Sequence, residues 1–316
     1  MAGNWQNFDS DGAAWDGLSG HAPLPLQQSW GYGEAMRKFG AQPLRLVCCD
    51  DRKVIASAQL MRNRLLRFLK PAMCFRGPLW TESSDPPDMA ARSENLTDLR
   101  AMFSRRRLEF VLVMPEQEAS PEAHCMMRGA GFRRVMTGYS TIWLDLAADA
   151  ETLRSNLDPK WRNKVVRAER GDLEISVGGK RAHQYAWLLE REDAQRDAVR
   201  YVGLPTGLVE HFAGASRKGG KRGVVSLTAI SNRDKVAGAL FLLHGNSATY
   251  FTGWSGAEGR ALAAHNLLLW RAMMELKDCG IRWLDLGGLN TTHGAGIARF
   301  KLGMGAQPLT LAGTYL

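Results

Sequence analysis

Residues 264–288 read AHNLLLWRAMMELKDCGIRWLDLGG, and this stretch decides the fold of the second half of the chain. Its first part is rich in leucine and methionine and predicts a helix over 264–279. Gly280 is the residue type that most often ends a helix as a C-cap. The apolar run 281–286 then predicts a strand that ends at a glycine pair. A helix that leads directly into a strand indicates a mixed α+β domain.

The elements on either side of this stretch form a pattern that the first half repeats. The order hairpin, helix, strand, helix, strand occurs in both halves, so the sequence predicts two copies of one α+β unit. We expect a first domain at 1–147 and a second at 148–316. In the first half the predicted elements are 44–61, 88–107, 110–114, 120–130 and 139–146. The second half begins with predicted helices at 158–170, 181–197 and 205–217. Its further predicted elements are 224–244, 247–254, 264–279, 281–286, 296–302 and 308–315.

Charge is unevenly spread along the chain. The 316 residues include 41 Lys+Arg and 32 Asp+Glu, a formal net charge of +9, and 45% are hydrophobic, which excludes wholesale disorder. Residues 1–150 hold 18 basic and 17 acidic side chains, whereas residues 151–316 hold 23 and 15. The basic second half indicates an anionic partner such as nucleic acid, nucleotide or acidic lipid, or else a basic surface with no dedicated partner.

Several classes of protein are excluded by what the sequence lacks. No stretch approaches the roughly 20 apolar residues of a membrane span, and residues 1–16 have neither the basic start nor the apolar core of a secretory signal. The five cysteines are an odd number, and Cys48 and Cys49 are adjacent, which is a poor geometry for a bridge. We therefore expect reduced thiols and a cytoplasmic protein. Without a CxxC pair or an HExxH motif, no metal site is predicted.

Two motifs near the C-terminus resemble those of a known family. WLDLGG at 283–288, followed by GIARFKLG at 296–303, resembles the Fem-type (FemABX-like) aminoacyl-tRNA-dependent transferases of the GNAT fold superfamily. The resemblance implies an α+β fold of tandem GNAT-like domains, each a mixed, mostly antiparallel sheet flanked by helices. It implies an acceptor side in the first domain, completed by the C-terminal strand, and a donor or tRNA side in the second. Further matches, in the family's order, are LQQSW at 26–30, FRGPL at 75–79, the basic helix at 158–170 and the segment 250–270.

The family transfers an amino acid from the ester of an aminoacyl-tRNA to an amine, usually on a peptidoglycan precursor peptide, and forms an amide. Aminolysis needs a neutral amine, a positive charge or donor for the oxyanion, and substrates held in line. No covalent nucleophile is required, and the chain has no GxSxG motif. The resemblance implies that Lys301 stabilises the oxyanion and that Phe300 packs against the terminal adenosine or the aminoacyl group. A solvated lysine and a plain core aromatic are the alternatives.

A basic helix opens the second domain. Arg162, Lys164 and Arg167 lie within two turns of it, with further cations nearby. This density suits contacts with tRNA phosphates, and a solvated amphipathic face explains it equally well.

The resemblance also implies an acceptor site in the first domain, formed by Trp30, Lys38 and Arg76. Arg76 belongs to a run of cations with no acid between them, which suits an acidic peptide, a diphosphate or a uridine nucleotide. That run consists of Arg62, Arg64, Arg67, Lys70 and Arg76.

Three further residues are candidates for a donor cleft. Tyr250 and Trp254 are four positions apart on one predicted strand, so we expect them on the same face. That face lines the cleft or is simply buried in the core. Asp285 ends an apolar strand, where a buried carboxylate needs partners, so we expect it to hold a loop or the Lys301 ammonium.

Two departures from related patterns leave alternatives open. Met114 stands where some family members have an aspartate, so deprotonation of the amine is left to solvent or substrate. The loop 253–265 lacks the RxxGxG/A pattern that cradles the pyrophosphate of coenzyme A in acetyl-transferring GNAT proteins. We expect no cofactor, with aminoacyl-tRNA as co-substrate and an anionic or amine-bearing acceptor, near a membrane if that acceptor is lipid-linked. An acyl-CoA-dependent N-acyltransferase and a non-catalytic RNA- or precursor-binding protein are the alternatives.

Overall fold

The chain divides into two structural units. The computed structural model describes residues 3–316 except for 52, 63–69, 82–87, 105, 107, 200–202, 221 and 290–293. The first unit comprises Met1–Ser140 and Leu309–Leu316, and the second comprises Thr141–Pro308. The sequence predicts the boundary at 147, whereas it lies at Ser140, because the strand that follows pairs within the second sheet. Within the described ranges, no helix combines the length and the apolar character needed to cross a bilayer.

The first unit is built on an eight-stranded sheet, with four α-helices among its described residues. Its strand order is β1-β2-β3-β4-β6-β15-β7, with β5 paired beside β3, and β4 runs parallel to β6 whereas the other recorded pairs are antiparallel. The elements are β1 (Asn4–Asn7), α1 (Gly12–Gly17), α2 (Trp30–Arg37), β2 (Gln42–Asp50), β3 (Lys53–Arg62), β4 (Lys70–Phe75), β5 (Leu79–Trp80), α3 (Met89–Ala101), β6 (Glu109–Met114), α4 (Pro121–Gly129), β7 (Arg134–Met136) and β15 (Thr314–Tyr315).

The second unit is built on a seven-stranded sheet in the order β14-β8-β13-β12-β11-β10-β9, in which only the β12–β13 pair is parallel among the recorded pairings. Its strands are β8 (Ser140–Asp145), β9 (Glu174–Gly178), β10 (Val224–Ser231), β11 (Asp234–His244), β12 (Ser247–Ser255), β13 (Trp283–Asp285) and β14 (Pro308–Thr310). Its helices are α5 (Ala150–Ser155), α6 (Pro159–Glu169), α7 (Ala186–Val199), α8 (Leu208–Lys218), α9 (Ala257–Ala261), α10 (Ala264–Asp278) and α11 (Ala295–Leu302).

The two sheets have equivalent orders, which confirms the predicted repeat and the α+β fold. Reading from β1 and from β9, each sheet has an antiparallel meander of four strands, then a strand parallel to the fourth. The next strand comes from a distant part of the chain in both cases. It is β15 in the first sheet and β8 in the second.

In the stretch 264–288 the helix forms as predicted. α10 is largely buried, and Gly280 follows it with a φ of +77°. The Gly280 N–H donates to Lys277 O at 2.8 Å and the Ile281 N–H donates to Leu276 O at 3.0 Å, which is the Schellman arrangement. Because Ile281 belongs to this cap, the strand is shorter than the predicted 281–286 and occupies Trp283–Asp285.

Two other predicted elements are also too long. The helix expected over 88–107 ends at Ala101, and the chain then bends before β6, with Leu108 at a φ of +54°. The strand expected over 308–315 is interrupted, because Gly313 has a φ of +128° and separates β14 from β15. At Gly313 a positive φ thus breaks a run that is apolar enough to be read as one continuous strand.

We expect Gly280→Ala to lower the free energy of unfolding by about 1 kcal/mol, because an alanine Cβ is unfavourable in the left-handed region. Gly214 lies within α8 with no atom near its would-be Cβ, so Gly214→Ala should instead raise stability by about 0.5–1 kcal/mol. Urea unfolding of both variants measures the difference. Equal effects at the two positions would contradict the assigned cap.

Candidate functional site

The second sheet opens beside β12. β12 pairs with β13 only over Ser247–Thr249, opposite Trp283–Asp285. Beyond Thr249 it continues to Ser255 paired with β11, and among the described residues no strand pairs with its other edge. Backbone N–H and C=O groups on such an edge can pair with an extended ligand. The opening is therefore a candidate binding site.

A β-bulge sets which side chains of β12 face this opening. Tyr250 pairs with Phe241 and Thr252 pairs with Leu240, so Phe251 is an extra residue in the strand. A one-residue bulge reverses the alternation of side chains. The prediction that Tyr250 and Trp254 share a face is therefore wrong.

The two faces of β12 have different neighbours. Trp254 packs edge-on against Trp187 of α7, with ring centroids 6.0 Å apart, and Thr252 donates to Glu192 of the same helix at 2.7 Å. Tyr250 lies on the other face, where its hydroxyl is 2.9 Å from His265 Nε2 at the start of α10.

An aromatic row continues from this pair. The rings of Tyr250 and His265 are 6.1 Å apart, those of His265 and Phe300 are 5.5 Å apart, and those of Phe300 and Trp161 are 5.8 Å apart. Gly253 permits the first contact, since a Cβ there would overlap the Tyr250 hydroxyl and lie 2.6 Å from His265 Cε1. The row joins β12, α10, α11 and α6.

The Tyr250–His265 pair is uncharged at neutral pH. Burial lowers the pKa of His265 to about 4 and raises the pKa of the Tyr250 hydroxyl. His265 Nδ1 is buried and has no hydrogen-bond partner among the described residues. The Tyr250–His265 pair is thus a neutral polar group within the aromatic row, and His265 is a weak base.

The side chains of Lys301 and Asp285 both bond to the glycine turn that follows β13. Lys301 follows Phe300 on α11, and its Nζ donates to Gly288 O at 3.0 Å. Asp285 is 1% exposed and accepts hydrogen bonds from the Thr141 hydroxyl at 2.9 Å and from the Gly287 N–H at 2.8 Å. Burial lowers the pKa of Lys301, and the charge of Asp285 opposes this shift. Asp285 thus fixes the glycine turn and favours the charged lysine.

Two of the three cations predicted on the basic helix share one face, and the third lies on another. Lys164 and Arg167 are exposed and share one face of α6, and Arg167 also donates to Ala261 O at 3.1 Å. Arg162 is on another face, where it donates to Ser155 O at 3.2 Å. Asp158 caps the helix and Trp161 anchors it in the core.

The predicted acceptor residues belong to the first unit and have different local surroundings. Arg76 is 2% exposed, and its guanidinium donates to both carboxylate oxygens of Glu116, at 2.6 and 2.7 Å. Trp30 begins α2 beneath the Arg45 guanidinium, 3.5 Å from the ring centroid, whereas Lys38 is exposed beyond the other end of that helix. Their acceptor roles stay predictions. Arg64 and Arg67 of the predicted basic run lie outside the described residues.

Sequence reasoning missed His265, Trp161 and Thr141. His265 falls within the segment 250–270 that resembles the family, but a single histidine on a helix gives no signal of its hydrogen bond to a strand residue. The described residues contain no group of three or more His, Cys, Asp or Glu side chains arranged to hold a metal ion.

Comparisons with known proteins agree with this architecture. Residues 156–307, which lie within the second unit, match the model of the acetyltransferase (GNAT) domain family. The crystal structure of FemX is similar, with a TM-score of 0.79 and 14% identity, over 98% of this chain and 96% of that chain. A comparison with curated protein sequences finds no match.

Two further solved structures share the fold at low identity. A tandem GNAT protein from the clavulanic acid biosynthesis pathway has a TM-score of 0.55 and 14% identity, over 99% of this chain and 97% of that chain. L-PGS from Bacillus licheniformis has a TM-score of 0.52 and 11% identity, over 96% and 88%. The chain therefore has the tandem GNAT-like, FemX-like fold predicted from its motifs.

We expect the buried neutral His265 to make stability depend on pH. Between pH 6.5 and about 4 the unfolded chain binds a proton that the folded chain excludes, so the free energy of unfolding falls as the pH falls through that window. Replacing His265 by Gln should flatten the profile by about 2 kcal/mol. Urea unfolding at pH 7 and pH 4.5 measures it. The exposed His183→Gln is the control and should leave the profile unchanged.

Proposed function

We propose that the chain is an aminoacyltransferase that moves an amino acid from aminoacyl-tRNA to an amine acceptor. The amine nitrogen attacks the ester carbonyl carbon and a tetrahedral oxyanion forms. The bond to the tRNA ribose oxygen then breaks, an amide results, and the proton lost by the amine neutralises the leaving oxygen. The acceptor is a peptidoglycan precursor peptide or a small amine-bearing molecule.

One observation carries this proposal: Phe300 and Lys301, the pair that the family resemblance points to, are adjacent on α11, where the Phe300 ring is 5.5 Å from that of His265, the hydrogen-bond partner of Tyr250 on β12. The Lys301 ammonium has three N–H donors, and Gly288 O accepts from one of them. Asp285 supports the charged form from the end of β13. A partly desolvated cation held by a fixed turn suits stabilisation of an oxyanion better than a freely solvated lysine does.

The neutral pair beside this lysine is consistent with the same chemistry. With a pKa of about 4, His265 is too weak a base to take a proton from an ammonium acceptor at neutral pH. Met114, at the end of β6, offers no carboxylate. In this mechanism the amine therefore arrives neutral or loses its proton to solvent, and the protein contributes position and electrostatics.

The second candidate is an acyl-CoA-dependent N-acyltransferase, which the GNAT acetyltransferase match favours. The loop before α10 supports tRNA over CoA as the acyl carrier. Several amides of the segment 256–266, which includes α9 and the first turn of α10, donate within that segment: Arg260 to Gly256 O, Leu262 to Glu258 O, Ala263 to Arg260 O and Asn266 to Ala263 O. A pyrophosphate cradle needs such N–H groups to point at the ligand.

We expect Lys301→Ala to lower the rate of amide formation about 10²–10³-fold, which is the usual cost of losing an oxyanion donor. Arg299→Ala changes an exposed cation on the same helix and should leave the rate within about threefold. The assay follows amide product and uncharged tRNA after mixing charged tRNA with candidate amines.

Treatment with RNase separates the two donors. Loss of turnover on RNase treatment supports aminoacyl-tRNA as donor. Turnover that survives RNase and requires acyl-CoA would establish the second candidate instead. A Lys301→Ala enzyme with the parent rate would contradict the role given to this lysine in either reaction.

A further inference from the structure

An apolar groove lies in the first unit, whereas the residues of the transfer site belong to the second unit. It has a volume of about 540 Å³ and lies between the end of α3 and the start of β6. Its apolar lining comes from Ala101, Phe103, Leu108, Phe110, Val111 and Leu316. The chemistry described above uses none of these side chains.

The rim of this groove exposes large apolar side chains to solvent. Leu108 is 49% exposed, Met102 is 43% exposed and Leu316 is 40% exposed. Leu108 and Leu316 also line the groove, and Met102 directly follows α3. Apolar side chains gathered around an open apolar groove, instead of scattered singly, mark an interaction surface.

Cations surround the same rim. Arg62 ends β3 with its guanidinium 5.8 Å from the Phe103 ring centroid, and Arg100 lines the groove. Lys70 begins β4, where its N–H donates to Leu108 O at 3.1 Å, and Arg106 is exposed in the chain between α3 and β6.

Among the described residues that line the groove, Glu109 is the one acid. Glu109 lines the groove and is 3.7 Å from Lys70, so a surplus of positive charge remains around the apolar rim. Apolar side chains together with such a surplus match the interfacial region of a membrane, where anionic headgroups lie above acyl chains.

We propose that this edge of the first unit, formed by Arg62, Lys70, Arg100, Arg106, Met102, Leu108 and the groove, docks on a bilayer of anionic phospholipids. The cations contact lipid phosphates, the exposed apolar side chains enter the interface, and the groove receives an acyl chain. A nucleotide or RNA would be held by the same cations but would leave the apolar groove and rim without a role. The proposal does not depend on which acyl group the transfer site uses.

Flotation of the full chain with vesicles tests this docking. We expect binding to vesicles that contain phosphatidylglycerol, no binding to vesicles of phosphatidylcholine alone, and weaker binding as salt rises. Each neutralised cation should lower the partition coefficient about fivefold. Arg62→Ala combined with Arg106→Ala should therefore lower it about 25-fold. The control pair is Arg217→Ala with Lys218→Ala, two exposed cations at the end of α8, and it should bind like the parent.

A second variant separates membrane docking from simple charge attraction. Leu108→Asn combined with Met102→Ser removes the two most exposed of the three apolar rim side chains and keeps every charge. Asparagine tolerates the φ of +54° at position 108, so the fold should persist, as a retained unfolding temperature would verify. We expect at least a tenfold loss of vesicle binding. Unchanged binding in this variant, equal loss in the control pair, or equal binding to both kinds of vesicle would overturn the proposal.

Discussion

The short parallel pairing of β12 with β13 is the constraint on which the rest of the site depends. The pairing covers three residues of each strand and ends at Asp285. Its carboxylate accepts from the Gly287 N–H and the Thr141 hydroxyl, so the chain turns away instead of continuing beside β12. A buried carboxylate without these donors would carry a large desolvation cost. The Asp285 carboxylate, at the end of the β12–β13 pairing, thus stabilises the glycine turn that directs the chain away from β12.

The bulge in β12 is the second irregularity that shapes the site. With Phe251 as an extra residue, Tyr250 moves to the face covered by α10, while Trp254 stays on the face covered by α7. Only on the α10 face can the Tyr250 hydroxyl meet His265 and continue through Phe300 to Trp161. Lys301 follows Phe300 on α11. The bulge in β12 and the glycine turn after Asp285 together therefore position the Lys301 cation next to the aromatic row.

Local sequence signals predicted the elements well and the side-chain neighbours poorly. The Gly280 cap, the β10–β11 hairpin and the repeated order of strands follow from turn residues and apolar periodicity, which act over a few positions. Alternation alone predicts Tyr250 and Trp254 on one face, because it cannot reveal the bulge at Phe251. His265 gave no signal, because its partner lies on another element and only packing brings the two together. Arg76 lies in a basic run, yet Glu116, 40 positions away, receives its guanidinium.

The strand that fills the sixth place of each sheet explains why the chain cannot be read as two consecutive, self-contained halves. β8 precedes every other strand of its sheet, and β15 follows all the others of the first sheet. Tyr315 on β15 is buried, and its hydroxyl bonds to His124 of α4 in the core of the first unit. Residues 1–140 alone would therefore leave the edge of β6 unpaired and part of their core exposed. The first unit can complete its sheet only after the last residues of the chain are available, so the order of folding cannot simply follow the order of the sequence.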